Sequence, residues 1–246
     1  MPLLPLIGLT GGFLSGLLGL GGGVIMLPLL TLAGGISLKL ATGASLVHVL
    51  VAAAAGTLSH FRAGMVDVKA SFILGIAGIA GGLLGSFFSV PMSTHILNLI
   101  FLFLVISAIF LLFIPIRSNN ETYRRGGNRI VGILIGLGCG LLNGLLGVGG
   151  GFILIPLMVY ILRIPLRVTI GTSLMIIMIS SLGTFGAKYG VGHIHLMITL
   201  LVTSGSVLGA LLGGYVSRKT HIEHLRLILI SLLSLIFISV AYKTFF

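Results

Sequence analysis

The chain has 246 residues, 57% hydrophobic and 7% charged, and its 14 Lys plus Arg against three acids give a formal net charge of +11. An ordinary soluble domain carries about 25% charged residues, and several apolar runs here reach the ~20 residues that cross a bilayer; the composition therefore excludes a soluble domain and predicts an all-α polytopic membrane protein. The cations fall in gaps between apolar runs without aromatic interleaving, which marks them as topology signals and not a nucleic-acid surface, while Cys139, the single cysteine, excludes an intrachain disulfide or a thiolate metal cage.

The first apolar run spans about residues 3–33. It is apolar from Leu3 and has no basic residue before Lys39, so it lacks the charged leader of a cleavable signal peptide and is expected to belong to the mature fold. Within it lies Gly16-Leu17-Leu18-Gly19-Leu20-Gly21-Gly22-Gly23-Val24-Ile25-Met26-Leu27-Pro28. Runs at 40–59, 70–90 and 95–115 follow, then a polar stretch at 116–129 that reads as a basic, cytoplasmic linker. The fifth run, 130–162, repeats the first as Gly144-Leu145-Leu146-Gly147-Val148-Gly149-Gly150-Gly151-Phe152-Ile153-Leu154-Ile155-Pro156, with a numbering offset of 144 − 16 = 128. Runs at 166–187, 194–216 and 222–243 complete a four-plus-four pattern, so 1–115 and 130–246 are expected to be two copies of one membrane unit. Gly43-Ala44-Ser45-Leu46 matches Gly171-Thr172-Ser173-Leu174 and Gly64 matches Gly192 at the same offset. In the third and fourth segments two registers stay open, with Gly81 and Gly85 opposite Gly209 and Gly213 or opposite Gly205 and Gly209.

About 31 residues at ~1.5 Å each would make roughly 46 Å of helix, well beyond a ~30 Å hydrocarbon core. The opening run of each half must tilt steeply or double back. If all eight runs cross once, Lys and Arg divide eight against six between the two sides. If runs 3–33 and 130–162 enter, break at the glycines and leave on the same side, one face carries only Lys39, Lys188 and Lys243 and the other the remaining eleven. The second division is the one the positive-inside rule expects. It implies three full crossings per half, halves that run in opposite directions as an inverted repeat, and both termini outside the cytoplasm.

Irregular backbone at membrane depth is tolerated only where protein buries it or a water-filled cavity solvates it. Gly21, Gly22 and Gly23, with Gly149, Gly150 and Gly151, therefore define a shared central site, and the half-helices that start near Val24 and Phe152 would direct backbone N–H groups at an anion. Close helix packing by Gly12, Gly16, Gly19 and Gly23 and by their counterparts Gly140, Gly144, Gly147 and Gly151 is the competing reading. Ser45 and Ser173, with Thr42 and Thr172, are candidate hydroxyl donors, against the alternative that they bond their own helix carbonyls. Asn143 is a lone amide in an apolar run, matched by Ser15. His48 is the ionisable group plainly at membrane depth, where the choice lies between function and a helix-to-helix hydrogen bond. No carboxylate lies in a crossing segment, so His48 or the substrate must carry any coupled proton. His60, Arg62 and Lys188 lie at segment ends, where the choice is between guiding an anion into the site and snorkelling to the interface, the second being favoured. His193 and His195, with His221, Glu223 and His224, have metal-like spacing, but their place in loops or segment ends argues against a metal. The glycines fit neither a dinucleotide fingerprint nor a P-loop. No Gly-x-Ser-x-Gly elbow occurs, and nothing points to an enzyme or a cofactor.

The doubled Gly-Leu-Gly-Gly-Gly and Gly-Val-Gly-Gly-Gly motifs, followed by Pro28 and Pro156, Gly-Ala-Ser-Leu or Gly-Thr-Ser-Leu in the next segment, and Gly64-Met65-Val66-Asp67 beyond, resemble the sulfite exporter TauE/SafE family of membrane permeases. The resemblance covers nearly the whole chain. It implies a transporter in the cell membrane, exporting a small sulfur-containing oxyanion such as sulfite, or an organosulfonate such as sulfoacetate, bound near the midplane. The second half departs from the first where His195 replaces Asp67, so an equivalent role for the two is not expected. A non-transporting assembly or sensor component and a passive small-anion channel are the alternative functions.

Overall fold

A computed structural model describes residues 3–30, 35, 38–113, 129–189 and 196–245. These residues form ten helices and no strand: α1 (Leu3–Leu18), α2 (Gly23–Pro28), α3 (Leu38–Phe61), α4 (Val68–Ser89), α5 (Thr94–Phe113), α6 (Arg129–Leu146), α7 (Gly151–Tyr160), α8 (Leu166–Tyr189), α9 (Leu196–Lys219) and α10 (Ile222–Phe245). An apolar environment leaves backbone groups no partner but each other, which is why so apolar a chain is helical almost throughout. Seven of the helices, α3 to α6 and α8 to α10, are long and apolar enough to cross a membrane, and α1 and α7 are shorter apolar helices. The protein is a multi-pass membrane protein. Its outer surface is apolar, with Phe87, Phe103 and Phe110 among the most exposed residues, and α5 and α10 are the least buried of the long helices.

Both long opening runs are broken where the glycines lie. Gly19 N–H bonds Ser15 O at 2.8 Å and Gly147 N–H bonds Asn143 O at 2.7 Å, closing the last turns of α1 and α6. The next residues cannot continue the helix: Gly19, Gly21 and Gly22 have φ of 77, 76 and 78°, and Gly147, Gly149 and Gly150 have φ of 69, 86 and 64°, a left-handed conformation that only glycine adopts at little cost. The chain then folds back. A methyl group on Gly22 would sit 3.0 Å from Gly11 O, and one on Gly150 2.9 Å from Cys139 O. Beyond the first break, Met26 and Leu30 are buried with Leu4 and Ile7 of α1, so α2 retraces the path of α1.

Helix directions follow from which residues meet. Along α1 and α3, Gly11 lies beside His48 and Gly16 beside Gly56, so these helices are parallel and the chain between them returns to the side from which α1 started. Gly75, Gly78 and Gly82 of α4 lie against Ile179, Ser180 and Thr184 of α8, again parallel, whereas Gly56 against Leu174 and Gly171 against His60 make α3 and α8 antiparallel.

The tightest packing crosses from one half of the sequence to the other. On α1 and α9, Gly8, Gly12 and Gly16 meet the backbone of Val202, Ser206 and Ala210; on α6 and α4, Gly136, Gly140 and Gly144 meet that of Leu74, Gly78 and Gly82. Every residue of the first set is matched by one of the second at the repeat offset, as in 136 − 8 and 202 − 74. Helix starts obey the same offset, with 151 − 23, 166 − 38, 196 − 68 and 222 − 94 all equal to 128. Gly81 and Gly85 face Leu137 O and Leu141 O, while Gly209 and Gly213 face Leu9 O and Phe13 O, which selects the unshifted of the two glycine registers.

Candidate functional site

The two breaks lie back to back. A methyl on Gly23 would stand 2.7 Å from the Val148 carbonyl and one on Gly151 2.7 Å from Leu20 O, so each re-started helix abuts the opposite break. Val49 and Ile177 lie between them, each within reach of both Gly21 and Gly149. Val24 and Phe152 are fully buried, and Phe152 meets Phe101 edge-on at 5.8 Å. The N-caps of α2 and α7 are Gly22 and Gly150, which offer no capping side chain. Ile25 and Met26 N–H bond back to Gly22 O, and Ile153 and Leu154 N–H to Gly150 O. The preceding N–H groups of each first turn have no intrahelical acceptor by helix geometry.

Hydroxyls tie each break to the other half. Ser173 donates to Gly19 O at 2.8 Å, with Ile170 O at 2.9 Å as a second acceptor, and Ser45 donates to Gly147 O at 3.4 Å. Both serines are fully buried, so the sequence-predicted pair does reach the breaks, with its protons directed at carbonyls. Thr172 is engaged elsewhere: its hydroxyl donates to Val168 O and accepts from Asp67 N–H at 2.9 Å. Asp67 in turn caps α4 by accepting from Ala70 N–H. Thr42 lies in the second turn of α3, its side chain outside the described ones; His193 and His195 fall outside the described residues altogether.

Polar side chains make the two breaks unequal. At the second, Asn143 Oδ1 accepts from Gly149 N–H at 2.8 Å and its amide donates to Ser181 Oγ at 3.3 Å, which satisfies backbone that the break would otherwise strand. At the first, Ser15 stands in place of Asn143, and its Oγ is buried without a hydrogen-bond partner. His48 is the other polar side chain there: it is completely buried, Nδ1 is hydrogen-bonded to Ser206 Oγ, and Nε2 has no partner. Its counterpart in the second half is Ile176, and that of Ser206 in the first is Gly78. Ser206 had no signal in the sequence, because its pairing with His48 is fixed by how α3 meets α9.

His60 is buried rather than spread at an interface, with Nε2 donating to Gly16 O at 3.1 Å. Around the same end of the molecule Arg167 donates to Arg218 O at 2.6 Å and Thr220 O at 2.9 Å. His221 and His224 meet edge-on at 5.9 Å at the exposed start of α10.

Two glycine-broken helix hairpins set back to back are of the discontinuous-helix kind with which many secondary transporters build a site. The chain is a member of the family described as Sulfite exporter TauE/SafE, whose model matches residues 4–240. It is 26% identical to "Probable membrane transporter protein YunE" of Bacillus subtilis over 99% of this chain and 98% of that one. It is 28% identical to "Probable membrane transporter protein MJ0441" of Methanocaldococcus jannaschii over 95% and 92% of the two chains. No solved structure matches.

Proposed function

We propose that this protein is a secondary transporter that exports a small sulfur-containing oxyanion, sulfite or an organosulfonate, across the cell membrane, and that the anion binds where the two breaks meet. The observation that carries this reading is the pair of glycine breaks abutting at Gly23 with Val148 and Gly151 with Leu20. Backbone deprived of helical partners is favourable at membrane depth only if something else binds it, and N–H groups at the start of a helix favour an anion. Two matched breaks also supply what alternating access requires, two similar halves that rock or gate about one site. The glycine seams bind α1 and α3 to α9, and α6 and α8 to α4, so the units that move are these two interleaved sets, and the basic linker at 116–129 joins the two repeats in sequence.

The direction of the helices supports an inverted arrangement. α3 and α8 are counterparts in the repeat and run antiparallel, and α1 returns to its starting side before α3 begins. With the first and fifth runs as re-entrant hairpins, eleven of the 14 Lys and Arg fall on one face, the cytoplasmic one by the positive-inside rule. Alkaline phosphatase fused to the C-terminus is accordingly expected to be active and green fluorescent protein fused there to be dark; the reverse pattern would place the terminus in the cytoplasm and reject this orientation.

Thermal unfolding of the purified protein against a panel of small anions tests the site itself. Sulfite is expected to raise the midpoint progressively once its concentration passes the Kd, and an organosulfonate to do so at higher concentration, while chloride at equal ionic strength does not. A flat response to every oxyanion rejects the proposal and favours a non-transporting role in which the glycines only pack helices.

A further inference from the structure

Building on that transport reading, we propose that the first break accepts its oxyanion together with one proton, held between an anion oxygen and His48 Nε2. The bound species is then a proton-bearing monoanion of the hydrogensulfite type, not a fully ionised dianion.

The hydrogen-bond chain fixes where the histidine proton lies. Ser206 Oγ donates to Val202 O at 2.9 Å, which uses its single hydrogen. With that hydrogen on the Val202 carbonyl we assign the serine oxygen as acceptor of His48 Nδ1–H, which leaves Nε2 of the neutral imidazole a bare lone pair. That lone pair is buried without a partner. It is aimed at the break: a methyl on Gly22 would lie 2.6 Å from Nε2 and one on Gly11 3.1 Å. A ligand that met Nε2 with a lone pair of its own would be repelled, whereas an O–H completes the chain from ligand to Nε2, Nδ1, Ser206 and Val202.

Charge points the same way. α1 and α2 contain no titratable residue, the titratable residues of α9 are Tyr215, Arg218 and Lys219 in its last two turns, and those of α8 are Arg167 near its start and Lys188 and Tyr189 at its end. On α3 itself Lys39 lies nine residues before His48 and His60 twelve after it. Among the described residues no cation is therefore placed beside His48 to balance a second negative charge, and an unbalanced charge at membrane depth is costly. The second break has Ile176 and the satisfied Asn143 at the corresponding positions, so the proton is expected at one end of the ligand only. The interaction is a hydrogen bond; no covalent bond forms or breaks.

The test titrates inorganic sulfite into the full chain in lipid nanodiscs by calorimetry, in two buffers of different ionisation enthalpy, from about pH 6 to about pH 9. Above the second ionisation of the anion the expected result is uptake of one proton per sulfite bound, with the apparent Kd rising about tenfold per pH unit. Methanesulfonate, which keeps no proton, is expected to bind about 100-fold more weakly. His48→Asn preserves an amide N–H toward Ser206 but removes the acceptor at Nε2, and is expected to abolish the pH slope. The wild-type measurement is decisive without it. Sulfite binding with no proton uptake, or a slope that survives in His48→Asn, overturns the inference while leaving the anion site standing. No binding of any anion at any pH overturns the transport reading and this inference with it.

Discussion

Replacing Gly140 with leucine is expected to abolish recovery of folded protein, and Gly12→Leu to do the same. A Cβ on Gly140 would meet Gly78 Cα at 2.6 Å and its carbonyl carbon at 2.8 Å; one on Gly12 would meet Ser206 Cα at 2.8 Å. These neighbours are backbone in the middle of packed helices, so they yield only if α4 separates from α6, or α9 from α1. Overpacking of this kind costs about 3 kcal/mol or more, a large fraction of the stability of most folded proteins. Separation also removes dispersion contacts along the whole seam, which in lipid are a main force between helices. Gly138 supplies the control, since a Cβ there meets nothing within 4 Å. Gly138→Ala is expected to leave stability unchanged or raise it by about 0.5–1 kcal/mol. Monodispersity on size exclusion and the thermal midpoint read all three variants.

The second large effect is expected at the break itself. Gly22→Ala should leave a folded protein that no longer binds the anion. At a φ of 78° an alanine is strained by about 1 kcal/mol, and its methyl would press on His48 Nε2 at 2.6 Å and on Gly11 O at 3.0 Å, which displaces the imidazole that faces the break. Gly64→Ala isolates the strain, because Gly64 has a φ of 69° and an open side where a methyl meets nothing within 4 Å. Gly22→Ala is expected to lose more stability than Gly64→Ala, because only its methyl meets neighbours; a folded Gly22→Ala whose anion affinity falls about 100-fold, with Gly64→Ala unchanged in affinity, assigns the break to binding. Collapse of Gly22→Ala with Gly64→Ala intact would make the glycine a packing device. Gly150→Ala is expected to weaken binding as well, its methyl lying 2.9 Å from Cys139 O.

Helix positions are legible in the sequence because hydropathy and glycine act locally. The runs at 166–187 and 222–243 correspond to α8, Leu166–Tyr189, and α10, Ile222–Phe245, and the clustered left-handed glycines Gly19, Gly21 and Gly22, with Gly147, Gly149 and Gly150, break the runs after α1 and α6 where a single glycine such as Gly138 passes unnoticed within a helix. Packing partners are not legible. Gly8, Gly12 and Gly16 show small-residue spacing, yet nothing in them says that α9 rather than their own neighbour α3 will meet that face most closely. The choice follows from the reversal at Gly19 to Gly22, which a linear reading can propose only by counting charges at a distance.

The site divides in the same way. Ser45 and Ser173 stand out by their repeat, and both reach the opposite break. The bond from Gly149 N–H to Asn143 is hidden, since a helix residue that caps a break six positions ahead depends on the left-handed turn between them. His48 is conspicuous as an ionisable group at depth, but its tautomer depends on Ser206, 158 residues away. Sequence symmetry thus locates the two breaks, and only their packing reveals that they are chemically unequal.

Uptake of labelled sulfite into proteoliposomes tests transport most directly. The predicted result is saturable flux that depends on an imposed pH gradient and is lost in Gly22→Ala. Absence of flux for sulfite and other small oxyanions under either gradient, or a conductance that rises without saturation, would contradict it.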